Sequence, residues 1–256
     1  MPTVAVLSLK GGVGKTTVTL GLASAALHRG IRTLVADLDP QCNATAALDP
    51  GPTTASLADV LASPRRSVVG AAITRSAWGT GVDVLVGAEA AESFNDPDPG
   101  SRRLNRLATA LAELGEDGYD LILLDCPPSL GRLTRSALVA ADSALLVTEP
   151  SLFAVSGVQR AAEAAEAERK EHNPGLHTLG VVVNRVKPRS TEHTFRVNEL
   201  RENFGGLVLD PVLPDRTAVA QAQGACVPLH RLRTAGAREL AAAFDTLLGH
   251  AAPVGP

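Results

Sequence analysis

A glycine-rich turn between a predicted strand and a predicted helix constrains the fold of this chain more than any other feature. The β-branched run at residues 3–7 predicts a buried strand, and apolar residues recur at helical spacing over residues 15–28. Between them, residues 9–17 read LKGGVGKTT. Glycines let backbone N–H groups curl around an anion, and the following helix directs its unpaired N–H groups to the same point. The stretch therefore predicts a phosphate-binding loop.

Lysine is scarce in this chain, yet two lysines lie in this turn. The sequence has 24 basic residues, and only four of them are lysines, namely Lys10, Lys15, Lys170 and Lys187. An ammonium group is a compact point charge, whereas a guanidinium group is a flat fork, so lysine here favours contact with phosphates. The usual phosphate-loop pattern begins with glycine. Leu9 occupies that position, so the turn is a variant of the pattern.

The segment from Lys10 to Thr17 resembles the deviant Walker A box of the ParA/MinD family of ATPases. The resemblance implies that Lys10 reaches across a dimer to the phosphates of the ATP held by the other subunit. Lys15 would bind the β- and γ-phosphates of its own ATP, Thr16 would ligate Mg²⁺, and Thr17 would contact the α-phosphate. The other expected nucleotide contacts come from the loop itself, at Gly11, Gly12, Val13 and Gly14.

Two aspartates follow the second predicted strand, at residues 33–36. A period of two places Asp37 and Asp39 on one side, at the sheet edge where open α/β folds bind ligands. Two like charges there are unfavourable unless a cation or a polarised water uses them. The segment is similar to the family's switch I, which implies that Asp39 positions the attacking water and that Asp37 supports the Mg²⁺ shell. Cys42 stands where the family usually has glycine, so the loop departs from the family's pattern at this position.

A third predicted strand delivers another carboxylate to the same edge. Residues 121–124 are apolar and end at Asp125, which Cys126 and the pair Pro127-Pro128 follow. This resembles the family's Walker B strand. The resemblance implies that Asp125 holds Mg²⁺ through water and that the two prolines stiffen a switch II turn.

Strands alternate with helical segments along the rest of the chain. Strands are predicted at residues 82–86, 144–148 and 180–184, and helices at residues 54–61, 102–114 and 152–171. Such alternation predicts an α/β fold, a mostly parallel twisted sheet with helices on both faces. Together with the phosphate loop it indicates a P-loop NTPase with one domain over residues 1–256. We expect a turn-rich link at residues 96–101 and a disordered tail at residues 251–256.

The side of the site that would hold the base is marked more weakly. Asn184 ends a predicted strand at the family's adenine-side position, and the resemblance implies weaker base contacts at Pro214 and Asp215, in a predicted short strand and loop at residues 211–215. A strand-end asparagine that bonds only its own backbone is the alternative. Related GTPases carry [NT]-K-x-D here, whereas residues 184–187 read NRVK, so ATP is favoured over GTP.

Charge and cysteine content exclude several classes of protein. The net charge of −3 argues against a globally basic nucleic-acid binder. Residues 185–238 nevertheless hold nine basic and five acidic residues, a local positive excess. ParA-type proteins bind DNA through such residues, and the candidates are Arg185, Arg189, Arg216, Arg231 and Arg233, although an ordinary mixed surface is the alternative. The three cysteines form no C-x-x-C, which argues against a disulfide framework, a zinc site or an iron–sulfur cluster and favours a reducing compartment.

The expected function is therefore that of a ParA-like partitioning ATPase. The resemblance implies an ATP- and Mg²⁺-dependent homodimer that binds double-stranded DNA without sequence preference and is stimulated by a ParB-like partner, in the cytoplasm and on the nucleoid. A membrane-positioning ATPase of the MinD kind is one alternative, but we expect no membrane contact, because the basic amphipathic tail helix of that branch is not seen. A metabolic enzyme on the same fold is another, such as a nitrogenase-reductase relative or an ATP-dependent ligase.

Overall fold

The computed structural model describes residues 1–95, 101–115 and 118–252. The predicted link therefore lies outside the described residues except for Ser101, and so do residues 253–256 of the predicted tail. Within the described part, seven strands form one sheet: β1 Thr3–Leu7, β2 Thr33–Asp37, β3 Ile73–Arg75, β4 Val82–Leu85, β5 Leu121–Asp125, β6 Ser143–Thr148 and β7 His177–Val183.

The sheet has the strand order β3-β4-β2-β5-β1-β6-β7. All neighbours are parallel except β3 and β4, which run antiparallel. The prediction of a mostly parallel sheet is confirmed. The short edge strand β3 was not predicted, because its three residues carry no periodic pattern that distinguishes them from a loop.

Helices cover both faces of this sheet. They are α1 Lys15–His28, α2 Asn43–Leu48, α3 Leu57–Ala62, α4 Arg66–Ala72, α5 Ser101–Leu104, α6 Arg106–Ala112, α7 Arg132–Ala140, α8 Ala154–Glu171, α9 Thr191–Phe204, α10 Ala218–Gly224 and α11 Ala235–Ala251. Alternate residues of the central strands enter two separate apolar clusters. In β2, Leu34 and Ala36 face the cluster that includes α7 and α8, while Val35 faces the cluster that includes α1 and α11.

Several predicted boundaries move in the structure. The helix expected at 54–61 begins only at Leu57, because Ser56 caps it and shares a capping box with Asp59. The helix expected at 102–114 is broken at Asn105 into α5 and α6. The strand expected at 180–184 starts earlier, at His177, where it pairs with β6.

The end of the described chain also differs from prediction. Residues 211–215 form no named strand, and only an isolated bridge joins Pro214 to Val186. Ala251, expected in a disordered tail, is instead the buried last residue of α11, because that helix packs along α1. None of the described helices is both long and apolar enough to cross a bilayer.

Candidate nucleotide-binding site

The loop between β1 and α1 lies at the carboxyl edge of the sheet. Gly12 and Gly14 adopt φ angles of 81° and 92°, a region that side chains rarely enter. A Cβ at Gly14 would lie 2.2 Å from Asn184 Nδ2, so glycine is required there by space as well as by conformation. That amide donates to the carbonyl of Val13 at 2.9 Å. Asn184, the first residue after β7, therefore stabilises the conformation of the loop.

A cavity of about 480 Å³ opens in front of this loop. Its walls come from the loop and the start of α1, from the segment after β2, and from Arg185 and α10. The residues that line it include Gly11, Gly12, Gly14, Lys15, Thr16, Thr17, Asp39, Gln41, Asn43, Pro128, Arg185 and Gln223. Most of the predicted loop residues are thus brought together around one space large enough for a small ligand.

Lys15 lies at the first turn of α1 and is only 7% exposed. Its ammonium group has no hydrogen-bond or ion-pair partner among the described residues, although it lies near enough to Asp125 to lower the pKa of that carboxyl. A buried cation at a helix N-terminus, lining a cavity, is arranged to attract an anion, because the helix dipole acts in the same direction.

Asp125 is fully buried at this edge of the sheet. Its Oδ2 accepts from the Thr16 hydroxyl at 2.7 Å, and its Oδ1 accepts from the Thr19 hydroxyl at 2.9 Å. Burial raises the pKa of Asp125 well above its usual range, and the charge of Asp37 raises it further. A divalent cation would favour the ionised form. The Thr16 hydroxyl and a carboxylate are oxygen ligands of the kind that Mg²⁺ takes, usually with phosphates and water completing the shell.

Asp37 is buried next to the start of α2. Its Oδ2 accepts from the backbone N–H and the hydroxyl of Thr45, at 2.7 and 2.8 Å, and the N–H of Asp39 donates to Oδ1. Burial raises its pKa. Asp37 does not line the cavity. The structure therefore gives this carboxylate the task of fixing the start of α2, while support of a metal shell stays a prediction.

Asp39 does line the cavity, with 7% of its surface exposed. The N–H of Gln41 donates to its Oδ1 at 3.0 Å, which fixes the carboxylate at the start of the loop. Cys42 follows with a φ angle of 55°, the left-handed conformation that glycine adopts without strain. Cys42 therefore adopts a backbone conformation that favours glycine, the residue usual at this position in the family. Burial and the nearby carboxylates raise the pKa of the Cys42 thiol to about 11.

None of the three residues predicted to contact the base, Asn184, Pro214 and Asp215, lines the main cavity, whereas Arg185, predicted as a DNA contact, does. Arg185, with a φ angle of 56°, lines the main cavity and donates from its guanidinium to the carbonyl of Gly12. Asp215 lines a neighbouring opening of about 450 Å³ together with Glu149 and Lys187. The N–H of Asp215 donates to Val186, so the loop at 214–215 is tied to the end of β7.

Lys10 is turned away from the main cavity. It is about half exposed, and its Nζ lies 2.5 Å from Glu149 Oε1. Among the residues that line the 480 Å³ cavity, Lys10 is absent while Lys15 is present. The two lysines of the turn therefore face different spaces.

The five candidate DNA-binding arginines lie in three connections: Arg185 and Arg189 between β7 and α9, Arg216 between α9 and α10, and Arg231 and Arg233 between α10 and α11. Arg216 makes a bidentate pair with Glu239, at 2.8 and 3.0 Å, and Arg231 donates to the carbonyl of Trp78 at 2.9 Å. Arg189 and Arg233 are exposed. These partners leave Arg216 and Arg231 less available to phosphate than the sequence suggests.

Sequence reasoning missed four residues that shape the site. Thr19 and Thr45 bind the two buried carboxylates, Gln223 lines the cavity wall, and Glu149 holds Lys10. Thr19 lies three residues after Thr16 on α1, so helical spacing could have identified it. Thr45 lies in the segment similar to the family's switch I, whereas nothing local in the sequence marks Gln223 or Glu149.

Comparison with known proteins identifies relatives of this chain. A family model described as an AAA domain matches residues 1–178. Chromosome partitioning protein ParA of Caulobacter vibrioides is 35% identical over 91% of this chain and 89% of its own. Chromosome-partitioning ATPase Soj of Thermus thermophilus is 33% identical over 86% and 83%.

Solved structures agree in fold over nearly the whole chain. Cobyrinic acid a,c-diamide synthase of Mycobacterium smegmatis, with bound ATP analogue and magnesium, is 29% identical, with a TM-score of 0.79 and coverage of 98% and 95%. The cell division ATPase MinD of Pyrococcus furiosus is 28% identical, with a TM-score of 0.74 and coverage of 97% of both chains. With its variant phosphate loop, its buried acidic strand ends and these relatives, the chain belongs to the ParA/MinD family of P-loop ATPases.

Proposed function

We propose that this chain is an ATP-driven partitioning switch. ATP and Mg²⁺ join two subunits face to face, the joined form binds double-stranded DNA without sequence preference, and hydrolysis releases it. The proposal rests mainly on one observation, which is that the two lysines of the phosphate loop lie in different places. Lys15 is buried in the cavity wall, whereas Lys10 lies outside that cavity and faces the surface. A cation placed in this way can serve a nucleotide held by another subunit.

ATP with Mg²⁺ is the ligand that the cavity suits best. Lys15 and the loop N–H groups would bind the phosphates, while Thr16 and Asp125 would hold the metal, whose charge offsets that of the phosphates. A structural neighbour 29% identical to this chain carries an ATP analogue and magnesium. The absence of a guanine-reading aspartate after Asn184 favours adenine.

Hydrolysis would depend on placement more than on covalent chemistry. In phosphoryl transfer the protein orients the nucleophile and offsets charge on the transferred group. Asp39 lines the cavity with its carboxylate fixed by the N–H of Gln41, so it is placed to orient a water. Lys15 in the same subunit and Lys10 from the other would offset the charge.

DNA binding would be electrostatic and local. Residues 185–238 carry an excess of positive charge in a chain whose net charge is −3. Arg189 and Arg233 are the better candidates, because Arg185, Arg216 and Arg231 have hydrogen-bond partners of their own. Binding of this kind weakens steeply with salt and needs no recognition helix. A ParB-like partner would stimulate turnover, and the protein would act in the cytoplasm on the nucleoid.

DNA retention in the presence of ATP, ADP or no nucleotide tests the proposal. We expect retention only with ATP and Mg²⁺, and loss of retention on raising salt. Lys15→Ala should abolish nucleotide binding and retention together. Asp39→Ala should bind ATP, lose hydrolysis by about 100-fold or more and stay on DNA, because the water is no longer oriented. Retention that ignores the nucleotide, or normal hydrolysis by Asp39→Ala, would contradict the proposal.

Two alternatives are separated by direct assays. In a positioning ATPase of the MinD kind, ATP would drive the protein onto liposomes in a sedimentation assay. The last described helix, α11, buries its apolar face against α1, which leaves that face unavailable to a membrane. For an enzyme such as the diamide synthase named above, turnover would depend on a small carboxylate or amine. We expect DNA and a protein partner to stimulate turnover instead.

A further inference from the structure

An ion pair joins the exposed lysine of the phosphate loop to a residue far away in the sequence. Lys10 Nζ lies 2.5 Å from Glu149 Oε1, although 139 positions separate the two residues. Lys10 follows β1, and Glu149 follows β6. These strands are parallel neighbours, with Leu7 paired to Leu146. The carboxyl ends of adjacent strands thus bring the two side chains together at the carboxyl edge of the sheet.

The pair fixes the direction of the Lys10 side chain. Glu149 is the more buried partner, with 26% of its side chain exposed against 50% for Lys10. The Glu149 carboxylate therefore offers a fixed negative charge to a lysine that is otherwise free to move. The same residue also lines the neighbouring opening beside Arg185 and Lys187, so it has other cations nearby when Lys10 leaves.

We propose that Glu149 is a positioning residue that holds Lys10 on its own subunit until the triphosphate of a second subunit competes for it. The inference rests on the proposed role of Lys10 across the dimer. A triphosphate carries more negative charge than one carboxylate. Transfer of Lys10 from Glu149 to the phosphates of the second subunit therefore favours the dimer only when ATP is present. Breaking the pair opposes association. Glu149 therefore raises the protein concentration at which the ATP-bound dimer forms.

The expected effect is modest, because the pair is partly exposed. Pairs of this kind change an equilibrium constant by about twofold to fivefold. Glu149→Gln keeps the shape and removes the charge. Because one pair breaks in each of the two subunits, the dissociation constant of its dimer with a non-hydrolysable ATP analogue and Mg²⁺ should fall by about 4-fold to 25-fold.

The scarcity of lysine allows the free subunit to be examined directly. With four lysines in the chain, reductive methylation followed by peptide mass spectrometry reports each one separately. In nucleotide-free protein, Lys10 should react severalfold faster in Glu149→Gln than in the wild type, relative to exposed Lys187. Glu166→Gln is the matched control, because Glu166 pairs with Lys170 at 3.3 Å on α8. It should increase the reactivity of Lys170 alone and leave the dimer unchanged.

Analytical ultracentrifugation with the ATP analogue completes the test. A tighter dimer in Glu149→Gln, together with faster Lys10 labelling, supports the role of Glu149. Unchanged labelling, or a dimer as weak as the wild type or weaker, overturns it. If the wild type forms no ATP-dependent dimer, the partitioning switch itself is refuted and the inference falls with it. Thermal melting of each variant shows whether a weaker dimer merely reflects lost folding.

Discussion

At the scale of single residues, the site depends on positions where one atom more would not fit. The phosphate loop passes directly beneath the Asn184 amide, which bonds the carbonyl of Val13. Gly14 combines a positive φ with a neighbour at 2.2 Å from its missing Cβ. Lys15 is the next residue, so the position of its ammonium group depends on the conformation of this turn.

Gly14→Ala should therefore weaken nucleotide binding by at least about tenfold, because the loop must shift away from Asn184 or strain its backbone. Gly30→Ala is the matched control. Gly30 lies just beyond the other end of α1 with a φ of 74°, and a Cβ added there would meet no atom within 4 Å. It should lose roughly 1 kcal/mol of stability from backbone strain and keep its affinity. Equal affinity of both variants for a fluorescent ATP analogue would contradict the argument.

At the scale of elements, α1 is the central helix on one face of the sheet, where it packs against the strands and against α11. It leads from the phosphate loop, and its buried residues lie on most of its circumference. Phe244 on α11 packs onto Gly21, where a Cβ would lie 2.1 Å from Phe244 Cζ. The close approach of the two helices thus requires a glycine on one and permits an aromatic ring on the other.

Gly21→Ala should lower the free energy of unfolding by roughly 1–3 kcal/mol, as overpacking of a core does. Adding Phe244→Leu should recover part of the loss, because the smaller side chain makes room for the methyl group. Gly157→Ala on α8, where a Cβ meets nothing within 4 Å, should instead be neutral or stabilise by up to about 1 kcal/mol. Urea unfolding curves compare the three. A double variant less stable than Gly21→Ala would refute this account.

His230 joins α1 to α11 through a cluster of polar groups. Its Nδ1 lies 2.7 Å from Ser24 Oγ, its ring stacks on His28 with centroids 4.9 Å apart, and its Nε2 lies 3.5 Å from Asp245 Oδ1. Burial lowers the pKa of His230 below 6.5, Asp245 opposes this, and His28 and Arg29 add to it.

Because the folded pKa of His230 is lowered, the unfolded chain takes up a proton first as the pH falls. Stability should therefore decrease as the pH falls through the ordinary histidine pKa of 6.5. We expect His230→Gln, which can still contact Ser24, to show a shallower loss of unfolding free energy between pH 7.5 and pH 5.5. The same pH dependence in wild type and variant would exclude His230 as its source.

At the scale of the whole molecule, one cavity and one outward-facing lysine suggest two separable events. Binding of nucleotide involves the cavity around Lys15, whereas joining of subunits would involve Lys10. A ligand that binds only the folded protein raises its stability by mass action, and dimerisation makes the melting temperature depend on protein concentration. In a melting experiment, nucleotide binding therefore raises the melting temperature, and dimerisation makes that temperature depend on protein concentration.

Lys10→Ala should keep its stabilisation by ATP and Mg²⁺, about 2.7 kcal/mol at a ligand concentration of 100 times Kd. It should lose the concentration dependence that the wild type shows with ATP, because the charge that reaches the other subunit is gone. Lys15→Ala should show neither effect. The measurement is a thermal melt over a 100-fold range of protein concentration, with ADP as the reference nucleotide. Concentration dependence that persists in Lys10→Ala would remove that residue from the interface.

The sequence alone determined the parallel sheet, the position of the phosphate loop and the arrival of Asp39 and Asp125 at one edge. These follow from local rules, since strand and helix periods and glycine in a turn act over a few residues. Helix α1 and strand β1 accordingly have the predicted bounds. The conformation of Cys42 could not be read in the same way, because cysteine rarely adopts a positive φ.

Only the tertiary structure decided which side chains complete these groups. Thr45 donates a hydrogen bond to Asp37, Glu149 pairs with Lys10, and Phe244 packs onto Gly21. The partners of Lys10 and Gly21 lie far along the chain, and no local period relates them. These contacts depend on strand order and helix packing. The sequence therefore predicted the chemical groups of the site but not the positions of its charged side chains.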